Sequence, residues 1–305
     1  MKKSMGKSNI NRKYEFFWPI FFLAPFFVCF IVLSIFPIFY SFFISLTDWT
    51  GISEKRFIGF QNYLEIIVSD INFRKSIGNT FYMILIANSL TLILGLLLAN
   101  FLFGLKRGRT VFQTINFLPY VTAPVALGLI FKFLFDWKYG TVNKILMILG
   151  ISSEGINWFG MPQAAPWVII ILIVWKYVGY YMAIFLAGLS SVPGELYEAA
   201  VVDGAGKIAV FFRITIPMLR PVLTFAGVTS LIGGLQIFDE PYMMYPAYGG
   251  PDRSVLTVVW HFYISTFRNQ FRMGYGAAVA FLLFFIIAIV TVISTRMIGG
   301  KGEEG

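Results

Sequence analysis

Long apolar runs dominate the pattern of hydrophobic and polar positions in this chain. A membrane-spanning helix needs about 20 predominantly apolar residues to cross a hydrocarbon core about 30 Å thick. Runs close to or above this length predict six transmembrane helices, at 16–47, 81–105, 110–131, 166–189, 221–238 and 274–295. A seventh run, 254–267, is short for a span and predicts a buried or re-entrant segment. The predicted fold class is therefore all-α, a polytopic membrane protein.

The composition agrees with a chain that faces lipid. Hydrophobic residues make up 58% of the 305 positions and charged residues 13%, against about 45–50% and about 25% in soluble domains. One cysteine, Cys29, and one histidine, His261, exclude a disulfide framework and a zinc site built from such residues. We expect no catalytic residue, metal ion or cofactor. Cys29 is expected to pack within the first span, and His261 to be buried or interfacial.

The distribution of Lys and Arg predicts the orientation in the membrane. Basic residues are denser at the two chain ends and in the loops after the second and fourth spans than in the other loops. Because basic loops stay in the cytoplasm, both termini are predicted to be cytoplasmic. The net charge of +9 then reflects topology, and the basic N-terminus is expected to meet anionic lipid rather than nucleic acid. The predicted units are an N-terminus at 1–15, an added first helix at 16–47, a core at 75–297 and a tail at 298–305.

Prolines inside the predicted spans indicate bent helices. Pro19, Pro25 and Pro37 lie in the first span, and Pro119 and Pro124 lie in the third. Each proline removes a backbone donor and disturbs the preceding turn. Helices bent at these places are typical of a bundle around a pathway, and they also occur as plain packing features.

Segment 193–220 lies on the predicted cytoplasmic side, between the fourth and fifth spans. Pro193 suits a first helical turn, and the helix should stop near Gly204, a residue that tolerates a left-handed cap. A second short helix, 206–214, should end before Pro217. Apolar side chains around Ala199 and Ala200 would be a liability if left bare. The segment therefore predicts a docking surface for another protein.

The spacing within this segment is distinctive. It reads EAA, three residues, G, nine residues, I, one residue, IP, which resembles the EAA loop of the membrane subunits of ABC importers. Ile216 stands where that family usually has Leu. In that family the loop docks on an ATP-binding subunit, and the resemblance implies a coupling role for Glu198, Ala199, Ala200, Gly204, Ile214 and Pro217.

Outer segments extend the resemblance. Residues 57–63, 238–242 and 249–251 are similar to loops of the carbohydrate-importing members, such as permeases for maltose, glycerol phosphate and multiple sugars. The resemblance implies a type-I permease that forms half of a sugar pathway in a bacterial or archaeal plasma membrane. It also implies a second permease in a heterodimer, two ATP-binding subunits and an extracellular solute-binding protein. ATP hydrolysis should reside in those partners, because the nearest match to a phosphate-binding loop, 204–208, lacks the first glycine and the hydroxyl.

Polar residues in or beside the spans are candidates for the pathway. Lys176 lies near the middle of the fourth span, where a lysine costs about 2.5–3.5 kcal/mol. It either lines the pathway with neighbouring tyrosines or pairs structurally with an acid such as Asp239 or one from a neighbouring permease. Sugar sites combine aromatic rings with amides and carboxylates, and interfacial belts are the alternative for the aromatics. The remaining candidates are Asn116, Tyr120, Tyr180, Gln236, Asp239 and Glu240.

Two other functional classes fit less well. An ion-coupled secondary transporter would need ion sites within its spans, whereas the six predicted spans contain no Asp or Glu. A membrane-embedded enzyme would need a constellation of polar residues at one depth. Within the importer interpretation, a solute other than a sugar remains an alternative.

Overall fold

The structure, a computed structural model, describes residues 21–299 apart from 106, 246–247 and 269–270. The predicted N-terminus at 1–15 and positions 300–305 of the predicted tail lie outside the described residues. Within the described part the secondary structure is helical, and a lone bridge between Thr47 and Phe57 is the only strand-like pairing. The prediction of an all-α membrane fold is confirmed.

The helices are numbered here in chain order, and short turns between them are left unnumbered. Their bounds are α1 Phe21–Ser45, α2 Gln61–Leu64, α3 Ile71–Phe103, α4 Arg109–Val121, α5 Pro124–Leu134, α6 Thr141–Ile148, α7 Ala165–Ser190, α8 Gly194–Val202, α9 Lys207–Met218, α10 Arg220–Leu235, α11 Asp239–Met244, α12 Val258–Phe267 and α13 Met273–Gly299.

Four of these helices, α1, α3, α7 and α13, are each long and apolar enough to cross a membrane unbroken. Two bent pairs, α4 with α5 and α9 with α10, raise the number of spans to six when each pair counts once. The short apolar run at 254–267 becomes α12, in which Trp260 and His261 are buried. It packs on α3 and α13. The interpretation of that run as a buried segment is confirmed.

The third predicted span is not one helix. Residues 110–131 divide into α4 and α5, which meet at 98°, so neither half covers more than about 20 Å. The break falls at Thr122 and Ala123, both extended, because a residue that precedes proline avoids the helical region. Pro124 then begins α5. The bend predicted near Pro124 is therefore a corner of 98° between two helices.

The contact between α3 and α7 is the most extensive in the bundle, and α4 packs on the same helix α7. Glycines allow these close approaches. A Cβ on Gly179 would lie 1.9 Å from the backbone oxygen of Asn116, and one on Gly95 would lie 3.2 Å from the backbone nitrogen of Met182. Helix backbones can approach this closely only where a side chain is missing.

A hydrogen-bonded cluster lies at the start of α3 and involves residues of α12, α13 and the loop between α11 and α12. One oxygen of Asp70 accepts two backbone N–H groups in the first turn of α3, and the other lies 3.0 Å from His261 Nε2 and accepts the Tyr275 hydroxyl. His261 Nδ1 lies 2.7 Å from the Tyr248 hydroxyl. Burial raises the pKa of Tyr248 to about 12, so its phenol stays protonated. The cluster therefore joins the start of α3 to α12, to α13 and to the loop that carries Tyr248.

The pKa of Asp70 is itself shifted. Burial raises it, but hydrogen bonds from His261, Tyr275 and the backbone of Phe73 outweigh burial and hold the pKa well below its usual range. Because the carboxylate is bound more favourably in the folded state, Asp70 stabilises the fold above its unfolded pKa of about 4. That contribution is lost as the pH falls further.

Gly179→Ala should lower the free energy of unfolding by about 1–3 kcal/mol, because the added methyl group meets backbone that cannot rotate away. Thermal unfolding of the purified protein in detergent measures the effect. Gly78→Ala is the matched control, because its Cβ meets nothing within 4 Å. That change should leave stability unchanged or raise it by about 0.5–1 kcal/mol. Equal effects of the two substitutions would contradict the tight contact.

Asp70→Asn should lower thermal stability at pH 7 and pH 5, and the difference from wild type should shrink at pH 3, because the Asp70 carboxyl of the unfolded chain becomes protonated there while that of the folded protein stays ionised. Melting curves at the three pH values provide the measurement. Glu54→Gln is the control, because Glu54 is exposed on an outer loop. A difference that stays constant with pH would show that the Asp70 charge does not stabilise the cluster.

Candidate functional site: coupling segment and intramembrane cavity

The first helix of the coupling segment, 193–220, ends as the sequence predicts. Helix α8 spans Gly194–Val202, with Pro193 at its N-cap position. Gly204 has a φ of +74°. The N–H of Ala205 donates to the oxygen of Ala200, and the N–H of Gly204 donates to the oxygen of Val201. This pair of bonds is the Schellman arrangement, which a residue with a side chain adopts only under strain.

The two alanines of the EAA sequence face different ways. Glu198 and Ala199 are exposed, whereas Ala200 is buried against the rest of the chain. Consecutive helical residues point about 100° apart, so only one of the two alanines lies on the exposed face. Tyr197 also faces inward, with its hydroxyl 3.4 Å from Thr215 Oγ1. The outward apolar residues are Leu196, Val201, Val202, Ile208 and Phe212.

The second helix of the segment runs past its predicted end. Helix α9 continues through Pro217 to Met218, and α10 begins at Arg220 at an angle of 71°. The widened turn at Phe211–Thr215 explains this difference: the N–H of Ile216 donates five residues back, to Phe211. A wide turn makes room for the proline ring inside a helix. Ile214 is half-buried and Pro217 is exposed.

A polar cavity lies between α3, α7, α10 and α11. Its volume is about 370 Å³. Helix α10 stops at Leu235, and the non-helical residues 236–238 form part of the wall. The lining residues are Ile84, Asn88, Ile173, Tyr177, Tyr181, Ser230, Gly233, Gly234, Gln236, Ile237, Phe238, Asp239 and Glu240. The cavity thus combines aromatic rings, amides, hydroxyls and carboxylates.

Lys176 is paired with an acid that the sequence did not single out as its partner. Its Nζ lies 2.7 Å from Glu240 Oε1, and both side chains are less than a tenth exposed. Tyr177 OH is 3.5 Å from the same oxygen. The suggested partner Asp239 is exposed and lies in the cavity wall. The start of α11 explains why Glu240, and not Asp239, pairs with Lys176. The helix begins at Asp239 and turns the next side chain towards α7.

The structure brings some of the other candidates together. Tyr120 of α4 stacks on Tyr180 at a centroid distance of 4.6 Å and meets the edge of Tyr177 at 5.7 Å. Tyr180 in turn contacts Tyr181, which lines the cavity. Asn116 lies apart, in a separate pocket beside Pro119, and its amide donates to the oxygen of Phe112 at 2.8 Å.

Two polar residues in the wall were absent from the sequence-based candidates. Asn88 lies in α3 and its amide donates to the backbone oxygen of Ser230 in α10 at 2.7 Å. Both line the cavity. The Asn88 amide lies within the apolar run 81–105, and hydrocarbon offers no hydrogen-bond partner for it. Its position in the sequence could therefore have indicated a polar contact inside the bundle. The position of Ser230 gave no comparable signal, because serine can bond to its own helix.

Comparison with known proteins places this geometry in a family. The model of the binding-protein-dependent transport system inner membrane component matches residues 91–299, which is more than half of the chain. The chain belongs to this family. The permease is therefore a membrane transport subunit of an ABC importer, as predicted. The family is described as dependent on a binding protein.

Relatives match the permease over most of its length. The lactose permease protein LacF of Rhizobium radiobacter is 35% identical, covering 94% of this chain and 95% of the relative. The sulfoquinovosyl glycerol permease protein SmoG of Agrobacterium fabrum is 37% identical, covering 92% and 89%. The trehalose/maltose permease protein MalF of Thermococcus litoralis is 34% identical, covering 90% and 91%.

A solved structure has the same fold. A chain of a bacterial ABC transporter that imports the acidic polysaccharide alginate superposes with a TM-score of 0.82. It is 20% identical in sequence and covers 97% of the permease and 100% of that chain. A second structure of an alginate transporter, in complex with a periplasmic protein bound to an alginate pentasaccharide, gives 0.81.

Lys176→Met should destabilise the permease by about 3–5 kcal/mol, because it leaves the Glu240 carboxylate buried without its partner. The double variant Lys176→Met/Glu240→Met should recover most of that loss, because no charge is then buried alone. The measurement is a double-mutant cycle. Thermal unfolding is compared in one detergent for wild type, Lys176→Met, Glu240→Met and the double variant. If the effects of the two single substitutions add in the double variant, the pair is not coupled.

Proposed function

We propose that the permease forms half of the pathway of an ATP-driven importer for a di- or oligosaccharide. It works beside a second, different permease and takes its substrate from an external solute-binding protein. Two separate ATP-binding subunits supply the energy, and one of them docks on segment 193–220. The protein alternates between inward-facing and outward-facing states, with both termini in the cytoplasm.

The shape of the coupling segment is the observation that carries this proposal. Two short helices meet at Gly204, and large apolar side chains such as Val202 and Ile208 are exposed on them. An exposed apolar patch on a basic, polar side of the membrane favours a protein partner. Ala200 of the same segment is buried, and the Tyr197 ring lies 6.2 Å from the Phe103 ring at the end of α3, so the segment is anchored to the bundle. A push on its outer surface would therefore reach α10 and the cavity.

Glu198, Ala199, Ala200, Gly204, Ile214 and Pro217 are assigned different parts of the coupling. Glu198 and Ala199 are exposed and would contact the ATP-binding subunit. Gly204 sets the angle between the two helices. Ala200, which is buried, and Ile214, which is half-buried, hold α8 and α9 to the transmembrane helices, and Pro217 lies exposed near the end of α9.

The cavity supports a saccharide as the solute. Sugars present apolar ring faces and many hydroxyl groups, and the wall offers tyrosine rings beside Asn88, Gln236 and two carboxylates. Several relatives have names that describe saccharide import, among them lactose and trehalose/maltose. Gln236, Asp239 and Glu240 are proposed to face the pathway, with Lys176 behind Glu240 and the Tyr120–Tyr180 stack beside it. Asn116 is left outside the cavity by its position.

Co-purification with a tagged permease tests the proposal. Wild type expressed in its own host should bring down a second permease and an ATP-binding subunit, identified by mass spectrometry. Gly204→Asp and Glu198→Lys should reduce recovery of the ATP-binding subunit by at least about tenfold, which corresponds to about 1.4 kcal/mol of binding free energy. Sugar uptake by cells should fall with it.

Glu154→Lys is the matched control, since it makes the same charge change at an exposed position on an outer loop. It should leave recovery of the ATP-binding subunit unchanged. Transport by the permease alone, with no ATP-binding subunit attached, would contradict the proposal. Uptake of a solute that is not a saccharide would contradict the substrate class and leave the coupling role in place.

A further inference from the structure

The cavity wall carries an uneven set of charges. Its thirteen lining residues include two carboxylates, Asp239 and Glu240, and contain no Lys, Arg or His. Charges in a cleft with apolar walls act over longer distances than charges on an open surface. The sign of the net charge therefore decides which solutes the cavity admits.

One of the two carboxylates is neutralised. Glu240 accepts a hydrogen bond from Lys176 Nζ at 2.7 Å, with side-chain exposures of 8% for the lysine and 7% for the acid. Lys176 also lies 4.9 Å from the ring centroid of Tyr177. The lysine charge is thus held behind the wall by Glu240 and is not offered to a solute.

The other carboxylate is free. Asp239 is exposed in the wall, and among the residues the structure describes it has neither an ion pair nor a hydrogen bond. Arg268, at the C-terminal end of α12, is held at Tyr242 of α11, whose hydroxyl accepts its hydrogen bond at 3.1 Å. The part of the cavity that this chain forms therefore carries one net negative charge.

We propose that Asp239 makes the pathway selective for uncharged or cationic saccharides and against acidic ones. This inference rests on the proposed function as a saccharide permease. A free carboxylate accepts hydroxyl or ammonium donors in strong, charge-assisted hydrogen bonds, and it repels a uronate or a sulfonate at the same distance. The Lys176–Glu240 pair is part of the filter because it prevents the lysine from attracting anions.

Charged thiol reagents measure this filter without knowledge of the natural sugar. Cys29 is the only cysteine in the sequence, so Cys29→Ser gives a cysteine-free background for Gln236→Cys, three residues from Asp239. The assembled importer, with its partner subunits, is treated with methanethiosulfonates that carry either a sulfonate or a trimethylammonium group. The cationic reagent should react faster by about fivefold or more.

Changes at Asp239 should follow its charge. Asp239→Asn should bring the two rates together, and Asp239→Lys should reverse their order. Ile52 is 97% exposed and lies away from the cavity. Ile52→Cys therefore gives the ratio of the two reaction rates in the absence of the cavity. Glu154→Gln, a remote removal of the same charge, should leave the ratio at Gln236→Cys unchanged.

Uptake separates this inference from the proposed function. Asp239→Asn should raise the uptake of a uronate-bearing oligosaccharide relative to its neutral analogue when each is loaded on the binding protein. Equal reagent rates in the wild-type background, or a ratio that Asp239→Asn does not change, would overturn the charge filter. If the reagents discriminate as expected and no saccharide of either kind is carried, the filter stands for another solute and the sugar proposal fails.

Discussion

Inside a bilayer every backbone N–H and C=O group needs a hydrogen-bond partner within the protein, because hydrocarbon offers none. This constraint makes the chain helical and makes each helix break informative. The permease has breaks at 122–123, at Leu219 and at 236–238. The first forms a corner between α4 and α5, the second joins the coupling segment to α10, and the third lines the cavity. The interruptions in the helices are therefore the places where the bundle can bind or move.

The hydrocarbon of the bilayer also explains how the charged side chains are arranged. A lysine in the middle of an apolar helix needs a partner, and Lys176 finds one in Glu240 on the short helix α11. The pair also connects α11 to α7, so the cavity wall and the bundle core share one contact. Asp239, the adjacent residue in sequence, remains free to face a solute. A rotation of about 100° from one residue to the next thus separates the acid that pairs with Lys176 from the acid in the cavity wall.

Much of this arrangement was readable from the sequence. Apolar run lengths predicted the long helices, and the EAA spacing predicted a coupling segment with a stop at Gly204. The details that the sequence left open share a physical origin. The corner at Thr122–Ala123, the passage of α9 through Pro217 and the inward face of Ala200 depend on how neighbouring turns and helices accommodate one another. Proline marks a disturbance in a helix, but its surroundings decide whether the helix ends, turns a corner or widens.

The sequence by itself determined the class of protein. Hydrophobicity and motif spacing depend only on residues close together in the chain, so they can be evaluated without the tertiary structure. The tertiary structure decided which polar residues meet. Lys176 and Glu240 are 64 residues apart, and Asn88 and Ser230 are 142 apart. Close approach of α10 to α3 at Gly234, where a Cβ would lie 3.0 Å from Asn88 Nδ2, brings Asn88 and Ser230 within reach, and that approach depends on the packing of the whole bundle. The sequence does not show whether a charged side chain will be paired or exposed. The neighbours that it meets across the bundle decide this.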